Sequence, residues 1–580
     1  MAVFDTDVLV VGAGPAGLTA SALLARAGVK AIGITKYPGT ADSPRAHITN
    51  QRTAEVLRDL GVEDRLRETA MPHELMATQI FATSFAGLEL SRTSAWGAGI
   101  NRRADYVAAS PSSMSNISQH KLEPIILEAA TKHGADIRFN QELIDLRQDR
   151  EGVTARILER TTGRESQIRS KYLIGADGGR SLVASQEGFE FDGRFNIGEA
   201  ISVWLDADLT RYTQYRSGAI AFITPQASEI WMSIWPCVTP WTEWNPFFFR
   251  HGWAPVSTDE EVLHGYVREA IGDPTVPFKI KKISRWQVNH VVAKNYRRGR
   301  VFIAGDAAHR HSPANGLGSN TSVQDSYNLA WKLALVLSGE ADESLLDSYN
   351  DERQPVGRQV IDRAMKSHVE IEPWSEAAGL KPGVSEQDAK TNIEELFGAS
   401  EAGEKRRQAL LAGTDLMNYQ FNAHGVELGQ RYRSTAIASS EPFPEYRRDP
   451  ELYFQPDAVP GSHIPHVWVK HKDAIISTLD VCDYSGFTLI VGVGGRQWAE
   501  AASTVSSELG VPIKTARVGL RQDFDDLDGE WTKIRDVSDQ GCLLVRPDRF
   551  IAWRSHDLPR DPVAALRQTM LSILGRSGLR

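Results

Sequence analysis

At 580 residues, with 41% hydrophobic and 24% charged content, the chain has room for roughly three to four domains and the makeup of a globular protein. Its 65 Lys and Arg against 74 Asp and Glu give a formal charge of −9, which argues against nucleic acid or an anionic membrane as the main partner, since both need a concentrated basic surface. Cys237, Cys482 and Cys542 form no CxxC, no HExxH or GxSxG occurs, no apolar run approaches a membrane span, and the start lacks a signal-peptide pattern, so the expectation is a cytoplasmic protein without disulfides or a metal site.

In chain order, DVLVV at 7–11 reads as a buried strand, LTASALLARAG at 18–28 as a helix closed by Gly28, and AIGIT at 31–35 as a second strand. This βαβ start predicts a parallel sheet with helices on its faces. Between strand and helix stands Gly12-Ala-Gly14-Pro-Ala-Gly17, a G-x-G-x-x-G in the context that gives the pattern meaning. Gly12 makes the tight turn, Gly14 lets a pyrophosphate approach the backbone, and Gly17 lets the helix pack closely on the strand. Thr35 and Lys36 stand where an acidic residue usually binds the ribose, so the adenosine contacts depart from the usual pattern.

YLIGADGGRS at 172–181 predicts another strand, ending in Asp177-Gly178. From about 185 to 290, alternating runs such as ISVWLDADL and IWMSIWP predict a mostly antiparallel sheet inserted between α/β segments. RVFIAGDAAH at 300–309 restores the α/β pattern, with Asp306 after a strand and then Pro313, Gly316, Gly318 and Asn320 before a long helix over SVQDSYNLAWKLALVLSG. Residues 370–460 read as charged helices followed by a Pro-rich linker. A third unit starts near 461, with strands at 486–493 and 542–553 around a helix; VGVGG at 491–495 lacks the G-x-G-x-x-G spacing and reads as a loop.

The order GxGxxG, DG, GDAxH resembles the group A FAD-dependent aromatic hydroxylases, which are flavoprotein monooxygenases. SPRAHITNQRTAEVLRDLGVE (43–63), the SPSS…Q…LEP run (110–124), LLDSYNDERQPV (345–356) and the ending GSHIPHVWV, ISTLD, GFTLIVG, LLVRPDRFIAWR are similar to bacterial phenol hydroxylases of the 2,4-dichlorophenol 6-monooxygenase and 2-hydroxybiphenyl 3-monooxygenase type, over nearly the whole chain. The resemblance implies an α/β fold, α+β overall. A Rossmann-like FAD-binding domain is split over 1–184 and 296–400, with a mostly antiparallel substrate-binding sheet at 185–295. A helical and linker segment covers 401–460, and a thioredoxin-like C-terminal domain covers 461–580. Without CxxC that last domain runs no dithiol chemistry. FAD is the implied cofactor, with NAD(P)H and O2 as co-substrates and a homodimer as the family-level expectation. The implied cofactor contacts are Gly12, Gly14, Gly17, Thr35, Lys36, Arg45, Gln119, Asp177, Asp306, Gly318 and Asn320.

The implied reaction is hydroxylation of a phenolic ring, ortho to its hydroxyl, by a flavin C4a-hydroperoxide. A base near the phenol raises electron density on the ring, and His47 in PRAHI matches the family position for it. The resemblance implies an Asp within MSNISQ, where this chain has Asn116, an amide that cannot act as a carboxylate base. Ala184 and Thr239 replace two positions where Arg is expected. Losing a carboxylate and a guanidinium predicts a pocket remodelled away from simple halophenols, lined by Asn116, Trp231, Trp235 and Pro313. Five of the 14 Trp fall in 231–253 (Trp231, Trp235, Trp241, Trp244, Trp253), and Trp231 and Trp235, four apart on one strand, are expected to face a common cavity. Two alternatives stay open: a dearomatising, epoxidising or Baeyer–Villiger oxygenation of a larger polyketide-like aromatic, and a flavoprotein that binds an aromatic without oxygenating it.

Overall fold

The computed structural model describes residues 4–226, 228–250 and 254–576, so Trp253 lies outside the described residues. The run DVLVV forms part of the strand Thr6–Val11, buried at five of its six positions because helices cover both sheet faces. It pairs in parallel with Ala31–Ile34 on one side and with Glu165–Gly175 on the other, and Glu165–Gly175 pairs in parallel with Val301–Ile303. The four turns carrying Gly12, Thr35, Asp177 and Asp306 therefore leave the same end of four adjacent strands. In open α/β sheets that carboxyl end is where ligands bind.

The helix after the fingerprint runs Pro15–Arg26, starting three residues before the expected LTASALLARAG. Pro15 suits the first helical turn, where its missing N–H has no partner to lose. The helix Gly318–Leu337 packs on it, with Ser326 Oγ donating to Ala16 O at 2.8 Å.

The second sheet has nine strands, with the antiparallel pair Phe191–Ala207 and Phe278–Ala293 as its longest members. It also recruits a hairpin from the first segment: Thr78–Ala82 pairs with Glu89–Ser94 and, in parallel, with Ile220–Ile223. The helices Glu372–Ala378, Glu386–Phe397 and Glu401–Leu416 share its core through Trp374, Ile393 and Leu410.

The C-terminal unit is a four-stranded mixed sheet in the order Ile513–Arg517, Phe487–Val491, Cys542–Val545, Ile551–Ser555. The expected strand 542–553 is thus two strands, because the chain reverses where Arg546 N–H donates to Phe550 O at 2.8 Å. The three cysteines are buried, and burial pushes the Cys482 thiol up to about 12. A buried ionic set ties this unit to the first: Glu352 accepts from Lys332 at 2.8 Å and from Arg546 at 2.5 Å, all fully buried. Such a set specifies one docking geometry, and removing one partner costs about 3–5 kcal/mol by leaving a buried charge alone. Among the described residues no helix is long and apolar enough to cross a membrane.

Candidate active site

The carboxyl ends of the four parallel strands open onto a cavity of about 1780 Å³ whose wall continues onto the nine-stranded sheet. That exceeds the roughly 300–1,000 Å³ of single-ligand sites and gives room for a cofactor and a substrate together. Gly12, Gly14, Thr35, Lys36, Arg45, His47, Gln119, Asp177, Trp231, Asp306, Pro313 and Gly318 line it, whereas Gly17, Asn116, Trp235 and Asn320 do not.

The fingerprint glycines differ in what surrounds them. Gly12 has φ +110°, and a Cβ there would lie 2.1 Å from Ala176 O; one on Gly17 would lie 1.9 Å from Gly12 O. A Cβ on Gly14 would meet nothing closer than Glu123 Oε1 at 3.9 Å. Two glycines thus close the turn, and the third faces open cavity at the start of a helix. That cradle fits the pyrophosphate of a dinucleotide. Asp306 presents its carboxylate to the cavity; burial raises its pKa, while His309, Arg310 and Arg45 pull the other way. The turn bearing Asp306 is held by Asp325, which accepts from Gly305 N–H at 3.0 Å, His309 Nε2 at 2.9 Å and Arg353 Nε at 2.8 Å. Burial pushes the Asp325 carboxyl up, but Arg353 and His309 outweigh this and hold it low.

Three expected cofactor contacts do other work. Asp177 gives its oxygens to Ser181 Oγ and to the Leu182 and Val183 amides, so it anchors the start of the helix Leu182–Gln186. Asn320 donates to Ile48 O at 2.8 Å and accepts from Asn50 N–H at 2.9 Å, bracing the backbone that carries His47. Gln119 lines the cavity but donates to Glu123 Oε1 at 2.6 Å. Glu123 also accepts from Ala41 N–H at 2.5 Å, latching the 36–46 loop over the cavity, and burial raises its carboxyl pKa. The sequence reading missed Glu123, although its i,i+4 spacing from Gln119 places both on one helix face.

At the other end the wall is aromatic: Trp96, Phe222, Trp231, Phe247, Phe249, Trp286 and Phe421. Trp231 lines the cavity, with its indole N–H on Ser375 Oγ at 3.2 Å. Trp235 does not share its face. The pairing register shifts between Ile230 and Met232, a bulge that flips the alternation, so Ile234 and Pro236 face the cavity. Trp235 points into the core, fully buried, with its N–H on Ser233 Oγ at 2.8 Å and its ring edge-on to Phe85 and Trp244. Trp235→Ala is expected to cost about 3–5 kcal/mol of stability, read from denaturant unfolding. Trp231→Ala is expected to weaken binding of an aromatic ligand instead, with a smaller loss of stability.

Asn116 is likewise behind the wall. The short ladder Ile48–Thr49 with Ser115–Asn116 sets Ile48 opposite Asn116, and Ile117 N–H donates to His47 O at 2.7 Å. Asn116 Nδ2 donates to Cys237 O at 2.8 Å, which turns its Oδ1 toward His47 Nδ1 at 2.7 Å. A carbonyl oxygen only accepts, so His47 carries its proton on Nδ1 and leaves the Nε2 lone pair bare. Burial lowers the His47 pKa to about 4 against the opposing hydrogen bond, so the ring is neutral at pH 7. Thr239 is off the wall too, bonded to Glu243 and Lys121, and Ala184 is buried in the helix Leu182–Gln186. The departures from the family pattern at Asn116, Thr239 and Ala184 therefore do not reshape the pocket wall. Of the three, only Asn116 touches His47, so what it alters is the support behind the base.

A dinucleotide cradle at the strand ends, joined to an aromatic chamber under the nine-stranded sheet, is the arrangement of a dinucleotide-binding protein with room for a second ligand. The sequence matches the FAD binding domain family over residues 5–364 and the aromatic-ring hydroxylase C-terminal family over 457–577. It is 44% identical to 2,4-dichlorophenol 6-monooxygenase of Cupriavidus pinatubonensis (strain JMP 134 / LMG 1197), covering 99% of this chain and 97% of that protein. It is 40% identical to phenol 2-monooxygenase of Pseudomonas sp. (strain EST1001), over 97% and 92%. The flavin-dependent monooxygenase PieE, solved with FAD and substrate, superposes with a TM-score of 0.95 at 43% identity, over 99% of this chain and 100% of that one. The chain belongs to the FAD-dependent aromatic-ring hydroxylases.

Proposed function

We propose that this enzyme uses NAD(P)H and O2 to place one oxygen on a phenolic ring, ortho to an existing hydroxyl. The observation that carries the reading is the bare Nε2 of a neutral His47 on the wall shared by the FAD cradle and the aromatic chamber. FAD, when bound, supplies the passage of electrons from NAD(P)H to O2 and the oxygen transfer. The chain's own residues do the rest. His47 Nε2 accepts the phenol O–H and so raises electron density on the ring carbons ortho to it. Trp231, Phe247, Phe249 and Trp286 give the ring flat apolar surfaces and exclude water. The amides at the start of the helix Gly318–Leu337 face the cofactor end, where a helix N-terminus stabilises negative charge on a reduced flavin.

The test is a panel of phenols, beginning with phenol and 2,4-dichlorophenol, offered to the FAD-loaded protein. The expected result is phenol-stimulated NAD(P)H oxidation with a product heavier by one oxygen atom. Stimulated oxidation that yields only hydrogen peroxide across the panel would overturn the reading.

A further inference from the structure

Among the described residues none after Phe421 lines the cavity, so the C-terminal unit forms no part of the FAD cradle or of the aromatic chamber. It reaches toward the cofactor indirectly, from the turn between its strands Cys542–Val545 and Ile551–Ser555. Ile551 packs in the unit's own core. Phe550, one residue earlier, leaves that core for a separate apolar cluster with Leu317, Val356, Val360 and Tyr432. The rings of Phe550 and Tyr432 stack with centroids 4.0 Å apart and planes 21° from parallel.

Two paths lead from this stack to the cofactor end of the cavity. The first is polar. Arg353 Nη1 donates to Tyr432 Oη at 2.9 Å, and Arg353 Nε donates to Asp325 Oδ1 at 2.8 Å. Asp325 Oδ2 in turn accepts from Gly305 N–H at 3.0 Å, in the turn that presents Asp306 to the cavity. Arg353 Nη2 also donates to Thr321 O at 3.3 Å, near the start of the helix Gly318–Leu337. A planar guanidinium can hold these partners at once, which an ammonium cannot. Tyr432, Arg353 and Asp325 are at most 2% exposed, so water does not replace a bond lost among them. The second path is apolar: Leu317, in the cluster with Phe550, directly precedes Gly318 on the cavity wall. Docking the unit does not require either path. That task falls to Glu352, whose oxygens go to Arg546, Lys332, Asn328 and Ser434 and to none of the cavity turns. Its neighbour Arg353 is aimed the other way, at Asp325.

We propose that Phe550 is a positioning residue for FAD. Through Tyr432, Arg353 and Asp325 on one path and Leu317 on the other, it lets the C-terminal unit hold the Asp306 turn and the start of the helix Gly318–Leu337 in the geometry that binds the cofactor. The unit thus acts on the flavin site without lining it. A close-packed interior transmits such a constraint, because a void at Phe550 lets Tyr432 and Leu317 move into it.

The experiment measures the FAD dissociation constant of the full-length protein by flavin fluorescence, the visible circular dichroism of the bound flavin, and the unfolding midpoint. None of these needs a substrate or turnover, so the outcome is independent of the hydroxylase reading. Phe550→Ala is expected to raise the dissociation constant about tenfold, the scale on which groups behind a ligand's direct contacts act, and to change the circular dichroism of the flavin that still binds. Phe550→Leu refills most of the space and is expected to recover most of that loss. Trp531→Ala is the control, because Trp531 is buried in the unit's own core, off both paths. It is expected to lower the unfolding midpoint at least as far as Phe550→Ala. Its FAD affinity is expected to stay within about twofold of wild type, as for independent sites. Tyr432→Phe keeps the stack and removes only the hydroxyl from Arg353, so it is expected to fold and to weaken FAD about threefold, a fraction of one hydrogen bond. An unchanged FAD affinity in folded Phe550→Ala, or in Tyr432→Phe if the alanine variant does not fold, would overturn the proposal. So would an equal loss in Trp531→Ala.

Discussion

The His47→Ala variant is expected to form hydroxylated product on the order of 100-fold more slowly than the wild type, the scale of one positioned proton acceptor. FAD content should be unchanged, since the one side-chain partner of His47 in the described structure is Asn116 and the cradle at Gly12, Gly14 and Asp306 does not involve it. The variant should still consume NAD(P)H when a phenol is bound, but release more hydrogen peroxide per turnover, because the ring is less activated while reduction is untouched. Product per NAD(P)H, measured by mass spectrometry against peroxide formed, separates the two channels. Removing the imidazole also leaves Asn116 Oδ1 buried without its partner, at a cost of about 1–3 kcal/mol. The unfolding midpoint should therefore be measured beside the kinetics. Wild-type coupling in a folded variant would remove His47 from the reaction.

How much of this arrangement is legible in the sequence depends on the range of the interaction. The fingerprint is largely local: Gly17 needs to be glycine because a Cβ would strike Gly12 O in its own turn, and Gly12 because its φ is +110°, although the Ala176 O that a Cβ on Gly12 would also strike comes from the neighbouring strand. The turns at Thr35, Asp177 and Asp306 are each readable as strand ends, but that they converge follows from the parallel pairing of strands up to 295 residues apart, such as Thr6–Val11 and Val301–Ile303 through Glu165–Gly175. Period-two alternation places Trp231 correctly and fails at Trp235, because a bulge of one residue inverts every position after it. Asp177 and Asn320 carry the expected residue types in the expected motifs, yet their side chains are committed to a helix start and to the Ile48 backbone. A motif fixes the path of the chain more firmly than the partner of each side chain. Trp96 lies in no motif at all. Its place on the wall comes from the hairpin Thr78–Ala82 and Glu89–Ser94 joining a sheet most of which lies more than 100 residues downstream.

Asn116→Asp should move the pH dependence of the same reaction. In the wild type the amide accepts from His47 Nδ1–H but gives an imidazolium no charge to pair with, and burial leaves the ring with a pKa near 4. A base is lost when it is protonated, so the acid limb that His47 sets on kcat/KM lies near pH 4. A carboxylate at 116 stabilises the imidazolium, as an opposite charge within hydrogen-bond distance does, and raises the ring pKa by about 1–3 units. The acid limb should then rise by the same amount, toward pH 6, and the stronger base should turn over simple phenols of high pKa faster at pH 8. The change has a structural cost, because Cys237 O loses the Nδ2 donor at 2.8 Å and faces an oxygen instead, about 1–3 kcal/mol. The linkage also shifts sign-consistently. With its pKa near 4, His47 makes the fold lose stability as pH falls from about 6.5 to 4, since the unfolded chain binds the proton first. The variant, with a ring pKa closer to that of the unfolded chain, should lose less over that window. A pH profile of kcat/KM for both enzymes, paired with unfolding midpoints from pH 4 to 8, measures the two effects together. An acid limb that stays in place in a folded Asn116→Asp protein would show that the residue behind His47 does not govern its basicity.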